Sequence, residues 1–226
     1  MEYKNIESGT FVDRPNRFIA YAVIDGEKKI CHVKNTGRCK ELLIPGAKVG
    51  LEHKNDPNRK TEYDLICVEK DGEYVNIDSQ APNKVFREWA EKNGFFGDDV
   101  TIKSEVKYGN SRFDFCIEKK DKKAFVEVKG VTLKDGECAL FPDAPTERGV
   151  KHLKELISCI KDGYDAYVFF IIQMKGVSTF SPNTKTHPEF ASALSEAHDA
   201  GVRIFAMDCN VTLKSINADC FVDVRL

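Results

Sequence analysis

Near residue 80 the grammar of the chain changes, from short strands and turns to strands alternating with helices, which argues for a second domain. Before that point, short segments are closed by Asp25-Gly26 and Asp71-Gly72, dipeptides that supply the two positive φ angles of a type I′ hairpin turn. Residues 17–24 with 28–33, and 63–70 with 73–77, read as two such hairpins, and the segment between them, ending at Pro45-Gly46, is too short for more than a turn or two of helix. Beyond residue 80, strands alternate with helices. A helix is expected over 82–93, with Val85, Phe86, Trp89 and Ala90 on one face and Gly94 after its end. Strands follow over 101–107, 112–118 and 123–133, with a further Asp-Gly turn at 135–136 leading into 137–141. Pro145 suits the first turn of a helix running to 161, residues 165–172 form an apolar strand of the kind covered on both faces, and a helix over 188–200 precedes a strand over 202–207. The expected fold is α/β, α+β overall: a small antiparallel barrel over residues 1–80, then an α/β domain over 81–226.

Composition narrows the function classes. The longest apolar run, Ala166 to Ile172, is far below the roughly 18–20 residues of a membrane-spanning helix, and the first residues lack an apolar signal core. No membrane partner and a cytoplasmic location are therefore expected. Eight cysteines, scattered and often inside apolar segments, read as reduced buried thiols. Five histidines without i, i+4 pairing, and the lack of any Cys-x-x-Cys, argue against structural zinc. The net charge of −2 rules out bulk attraction to nucleic acid, so any such binding rests on a local patch and falls steeply with salt.

Two segments carry chemistry: Ser111-Arg112-Phe113-Asp114-Phe115 and Phe125-Val126-Glu127-Val128-Lys129. Each sets charge inside an otherwise apolar strand, where an unpaired carboxylate is costly to bury without a partner or a metal. Side chains alternate along a strand, so Glu127 and Lys129 share a face while Val126 and Val128 turn to the core. If the two strands pair, Asp114 joins them, and two carboxylates with an ammonium suit Mg²⁺ or Mn²⁺. The plainer reading is a cross-strand salt bridge at a sheet edge.

Asp114, a hairpin-length gap and Glu127-Val128-Lys129 resemble the signature of the PD-(D/E)XK nuclease superfamily, with Phe113 where the nominal Pro stands. Longer strings resemble one family in particular, the sugar fermentation stimulation protein A family: Asn35-Thr36-Gly37-Arg38, Pro82-Asn83, residues 111–115, 126–129 and 139–149. The resemblance implies an N-terminal OB-like barrel and a PD-(D/E)XK restriction-endonuclease-like domain with a mixed central sheet. It also implies largely non-specific DNA binding, a regulatory link to maltose metabolism and, through the superfamily, Mg²⁺-dependent phosphodiester hydrolysis. Carried over by position, Asp114 and Glu127 are metal ligands, Lys129 is the catalytic lysine, and the acidic residue of the preceding helix falls on Glu88.

Arg148, Lys151 and His152 are expected beside this cleft, Arg148 and His152 as i, i+4 neighbours reaching a phosphate. In the barrel, Arg14, Arg17, Lys34, Arg38 and Lys40 interleave with Phe18 and Tyr21, as in a single-strand-binding surface. Phe18 and Tyr21 have opposite strand parity, so one of them is expected in the core. Arg112 and the turn Lys119-Lys120-Asp121-Lys122-Lys123 add basic contacts that could touch a backbone. Two rival readings stay open: a non-catalytic DNA-binding regulator, and a barrel that binds a sugar or other small molecule. A homodimer is also left open.

Overall fold

The computed structural model of the chain describes residues 1–35, 37–120 and 122–226. Six strands come first: β1 (Ile6–Asp13), β2 (Ile19–Ile24), β3 (Glu27–Val33), β4 (Lys48–His53), β5 (Tyr63–Lys70) and β6 (Glu73–Asn76). β1 pairs with β2 and β4, β2 with β3, and β4 with β5, all antiparallel; a parallel β3–β5 pairing closes the ring. The result is the expected closed five-stranded barrel, with β6 as an added hairpin arm on β5. Both Asp-Gly turns have the required geometry, with φ of 48° and 82° at Asp25 and Gly26 and of 54° and 83° at Asp71 and Gly72. β1 and β4 carry no legible signal because each holds a glycine where the walls touch. A Cβ on Gly9 would lie 2.9 Å from the Val23 carbonyl, and one on Gly50 would strike the Cys67 sulfur.

Asp64 on β5 is buried at one mouth of the barrel. Arg59 grips it with both guanidinium nitrogens, Lys34 stands 3.5 Å away and Lys54 3.8 Å. Burial alone would raise this carboxyl, but Arg59 and the two lysines outweigh it and hold it below the usual carboxylate range. A folded-state pKa below the unfolded one, which is about 3.9, means that Asp64 stabilises the fold above that value and loses its contribution as pH falls through the lowered one. Urea titrations should show a wild-type advantage over Asp64→Asn at pH 7 that shrinks below about pH 4; an advantage constant from pH 7 to 3 would contradict this.

The remaining elements are α1 (Ala81–Asn93), β7 (Thr101–Tyr108), β8 (Ser111–Lys119), β9 (Lys122–Val131), β10 (Leu133–Asp135), β11 (Cys138–Phe141) and α2 (Glu147–Lys161), then β12 (Asp165–Ile172), β13 (Thr179–Pro182), α3 (Pro188–Asp199), β14 (Arg203–Val211), β15 (Ile216–Phe221) and β16 (Asp223–Val224). The central sheet, ordered β15-β14-β12-β9-β8-β7, is mixed: β12 runs parallel to β9 and β14, and the other pairs are antiparallel. A small sheet, β10-β11-β13-β16, flanks it. Helix α2 begins at Glu147 rather than Pro145, because the Thr146 hydroxyl caps it by accepting from the Gly149 N–H at 3.1 Å. The turn between β10 and β11 is centred on Gly136-Glu137 rather than 135–136, since Asp135 already pairs with Cys138. Strands β13, β15 and β16 have no sequence signal; β13 and β16 are very short, and β15 is a largely exposed edge.

The buried apolar side chains divide between the two faces of the sheet, with Phe113 and Phe115 of β8 on opposite faces either side of Asp114. Phe86 of α1 packs with Phe115, Val126, Val128 and Phe169 on one face; Leu153 and Leu156 of α2 pack with Phe113, Phe125, Val168 and Phe170 on the other, in a cluster continuous with the barrel interior. All eight cysteines are free thiols, six of them buried, and burial pushes Cys31, Cys39, Cys67 and Cys159 up to about 12. Among the described residues no helix is long and apolar enough to cross a membrane.

Candidate functional site

The site forms where two paired strands part. The β8–β9 ladder runs from Lys119↔Lys122 to Phe115↔Val126 and stops there. At the next position the Asp114 side chain takes over the role of a strand carbonyl: its Oδ2 accepts the Val128 N–H at 2.8 Å, and its Oδ1 accepts from Asn83 Nδ2 of α1, also at 2.8 Å. Glu127, on the α2 side of β9, is only 3% exposed. Its Oε1 takes the Lys129 ammonium and the His152 ring nitrogen Nδ1, and its Oε2 is buried without a hydrogen-bond partner. Arg148 Nε donates to His152 Nε2 at 3.3 Å, which assigns the ring proton to Nδ1, facing Glu127.

The two carboxyls are driven apart. Burial, then the charge of Glu127, raises Asp114. Burial would raise Glu127 too, but His152 and Lys129 outweigh it and hold the group below the ordinary range. Asp114, Glu127 and Lys129 thus meet, and they do so inside the sheet, which removes the edge salt-bridge reading. The donor set fits a small hard cation: two carboxylates converge, and one buried oxygen is left without a partner.

Other expected residues lie elsewhere. Glu88 is 57% exposed and pairs with the Met1 ammonium at 2.7 Å; it sits five helical positions beyond Asn83, roughly 140° around the helix. Asn83 supplies the contact from α1, and its only sequence signal is the Pro82-Asn83 string at the helix start. His152 does not reach outward for a phosphate. It is buried on Glu127, because it lies on the face of α2 that Gly149, Leu153 and Leu156 also turn toward the sheet. Arg148 itself is exposed, while Lys151 donates to the Asn110 carbonyl at 2.9 Å and Arg112 stands 3.6 Å from Glu105.

In the barrel, Arg14, Arg17, Arg38 and Lys40 surround one hollow of about 370 Å³ floored by Phe11, Leu43 and Pro45. Arg14 is a clasp rather than a free cation: its guanidinium donates to the carbonyls of Arg17, Asn35, Gly37 and Arg38 at 2.7–2.9 Å. It therefore shapes the loop that presents Arg17, Arg38 and Lys40, all exposed. Thr36 of that loop and Asp121 of the lysine turn lie outside the described residues. Lys34 is taken up by Asp78 at 2.8 Å and by Asp64. Neither Phe18 nor Tyr21 enters the core: Phe18 is 54% exposed, and Tyr21 lies half-buried on the outer wall with the Lys28 ammonium 4.2 Å over its ring. Asp208, Asp219 and Cys220 also cluster, but the Lys175 ammonium sits among them, 2.8 Å from Asp208, and neutralises the acids.

Residues 12–77 match the family model of the SfsA N-terminal OB domain, and residues 80–215 that of the sugar fermentation stimulation protein RE domain. Sugar fermentation stimulation protein homologs of Clostridium beijerinckii and Ruminiclostridium cellulolyticum are 58% and 55% identical over 226 residues, covering 100% of this chain and of each relative. A solved structure of SfsA from Pyrococcus furiosus in complex with Ca²⁺ superposes with a TM-score of 0.91 at 34% identity, covering 100% of this chain and 98% of that one.

Proposed function

Because the chain belongs to the sugar fermentation stimulation protein family, we propose that it binds DNA with little sequence preference and hydrolyses phosphodiesters at Asp114, Glu127 and Lys129 with Mg²⁺ or Mn²⁺. The observation that carries this reading is the buried, unpartnered Oε2 of Glu127 beside a second carboxylate. The Pyrococcus furiosus relative was solved with Ca²⁺, another hard cation that takes oxygen ligands. When bound between Asp114 and Glu127, the divalent ion would supply charge neutralisation at the phosphate and a lowered pKa for its water. Asn83 and the Val128 N–H hold Asp114 in place, and His152, itself fixed by Arg148, holds Glu127. Lys129 offsets negative charge developing on the phosphate oxygens, and exposed Arg148 is positioned to hold a flanking phosphate.

Arg17, Arg38 and Lys40 contact the DNA backbone, with exposed Phe18 as a stacking platform. The free thiols suit a reducing compartment, and we place the protein in the cytoplasm. The test is cleavage of labelled single-stranded, duplex and branched DNA with Mg²⁺, Mn²⁺ or EDTA. Cutting should require the metal, and Lys129→Ala should lower it by about 10²-fold or more. In the same series, Arg38→Ala with Lys40→Ala should weaken binding and reduce the salt slope by about two. Cutting in EDTA, or no cutting with any substrate, would overturn the nuclease assignment.

A second reading is a non-catalytic DNA-binding regulator of carbohydrate metabolism. It is favoured by the Lys129 ammonium on Glu127 Oε1, where His152 also hydrogen-bonds, an ion pair that balances the Glu127 charge without a metal. Metal-independent binding without cleavage would select it.

A further inference from the structure

On the α1 face of the central sheet, at the end away from Lys129, a hollow of about 300 Å³ combines aromatic and cationic linings. Phe95, Phe96 and Phe205 form its half-buried apolar floor over the buried Tyr167 ring. Four cations stand around it, and among the described residues the only carboxylate in the lining is Asp165. Arg203 is held in place before any ligand arrives. Its Nη1 donates to the Tyr167 hydroxyl at 2.8 Å, its guanidinium lies 5.3 Å over that ring, and Nη2 is 3.6 Å from Asp165. Lys119 reaches in across Gly97, where φ is +88° and a Cβ would lie 2.6 Å from the lysine Nζ. The left-handed φ at Gly97 favours glycine, and the missing side chain leaves room for the lysine tip. Lys122 and Lys123 complete the rim, Lys123 shared with Glu118 at 3.4 Å.

We propose that this hollow binds a nucleoside monophosphate, its base against Phe95, Phe96 and Phe205 and its phosphate on Arg203 and the lysines. An inorganic anion would leave the aromatic floor unused, and an apolar ligand would leave the cations unused. A flat ring carrying a phosphate satisfies both, and the volume lies at the small end of the range for such sites. The hollow shares no residue with the Asp114–Glu127 cluster or the barrel loop, so the proposal stands apart from the nuclease reading.

Calorimetric titration of the full chain with AMP, adenosine, inorganic phosphate and a short 5′-phosphorylated oligonucleotide tests it. AMP should bind at least tenfold more tightly than adenosine or phosphate alone. Arg203→Gln and Lys122→Gln, both at exposed positions, should each weaken AMP by about tenfold, while Arg38→Ala should not. If the oligonucleotide outcompetes AMP and is equally lost in Arg203→Gln, the nucleotide read is a strand end; if AMP binds at least as well, it is a free metabolite. AMP binding no tighter than phosphate, or undiminished in Arg203→Gln and Lys122→Gln with an unchanged melting temperature, would overturn the proposal.

Discussion

Glu127→Gln is expected to lower metal-dependent DNA cleavage by roughly 10²–10³-fold while leaving the DNA dissociation constant within about twofold. Gln has nearly the shape of Glu and keeps a carbonyl oxygen for His152, so the local packing of β9 survives. What changes is the buried Oε2 position, now an amide nitrogen whose hydrogens point where a cation would need a lone pair. Lys129 loses its counter-charge at the same moment. The proposed DNA contacts, Arg17, Arg38 and Lys40, line the barrel hollow, which shares no residue with this site. Single-turnover cleavage across a Mg²⁺ titration, with fluorescence anisotropy for binding, separates the two effects. A variant that cuts at the wild-type rate would remove Glu127 from the metal site. One that loses both cutting and binding would make this site, rather than the barrel loop, the main source of DNA affinity.

Phe86→Ala should be among the most damaging single changes, costing about 3–5 kcal/mol and lowering the melting temperature by about 10 °C or more. Phe86 is fully buried, with ring centroids 4.7 Å from Phe169, 5.1 Å from Phe115, 6.3 Å from Phe96 and 6.4 Å from Trp89. Truncation leaves a cavity between α1 and the sheet that these large rings fill poorly. The same helix carries Asn83, so the loosened packing should also weaken divalent-cation binding by about 10–100-fold, as loss of an outer partner of a metal ligand does. Thermal melts and calorimetric Ca²⁺ titration check both. A melting temperature within 3 °C or so of wild type would show that α1 is held by something other than this aromatic cluster.

Much of the architecture was legible from local chemistry. Asp25-Gly26 and Asp71-Gly72 specify their turns because few other dipeptides accept two positive φ angles. The helix faces of 82–93 and of α2 follow from apolar spacing, and the run over β12 follows from burial on both sides. β1, β4 and β15 were silent because a glycine or an exposed face replaces the alternation that marks a strand.

The candidate site divides in the same way. That Asp114, Glu127 and Lys129 form a charged cluster could be read from charge placed inside apolar strands, since such charge is too costly to bury without a partner. Their partners could not be read. Asn83 reaches Asp114 across 31 residues and His152 reaches Glu127 across 25, distances over which no periodicity operates. Helix phase gave Glu88 a plausible face, but the docking angle of α1 decided that Asn83 meets Asp114 while Glu88 pairs with the N-terminus. The sequence by itself determined the two-part fold and the charged residues at its centre, because propensity, turn geometry and burial cost act over a few residues. Only the tertiary structure decided which neighbours complete that centre, which basic residues are free and which are clasps, because those depend on how separate elements pack.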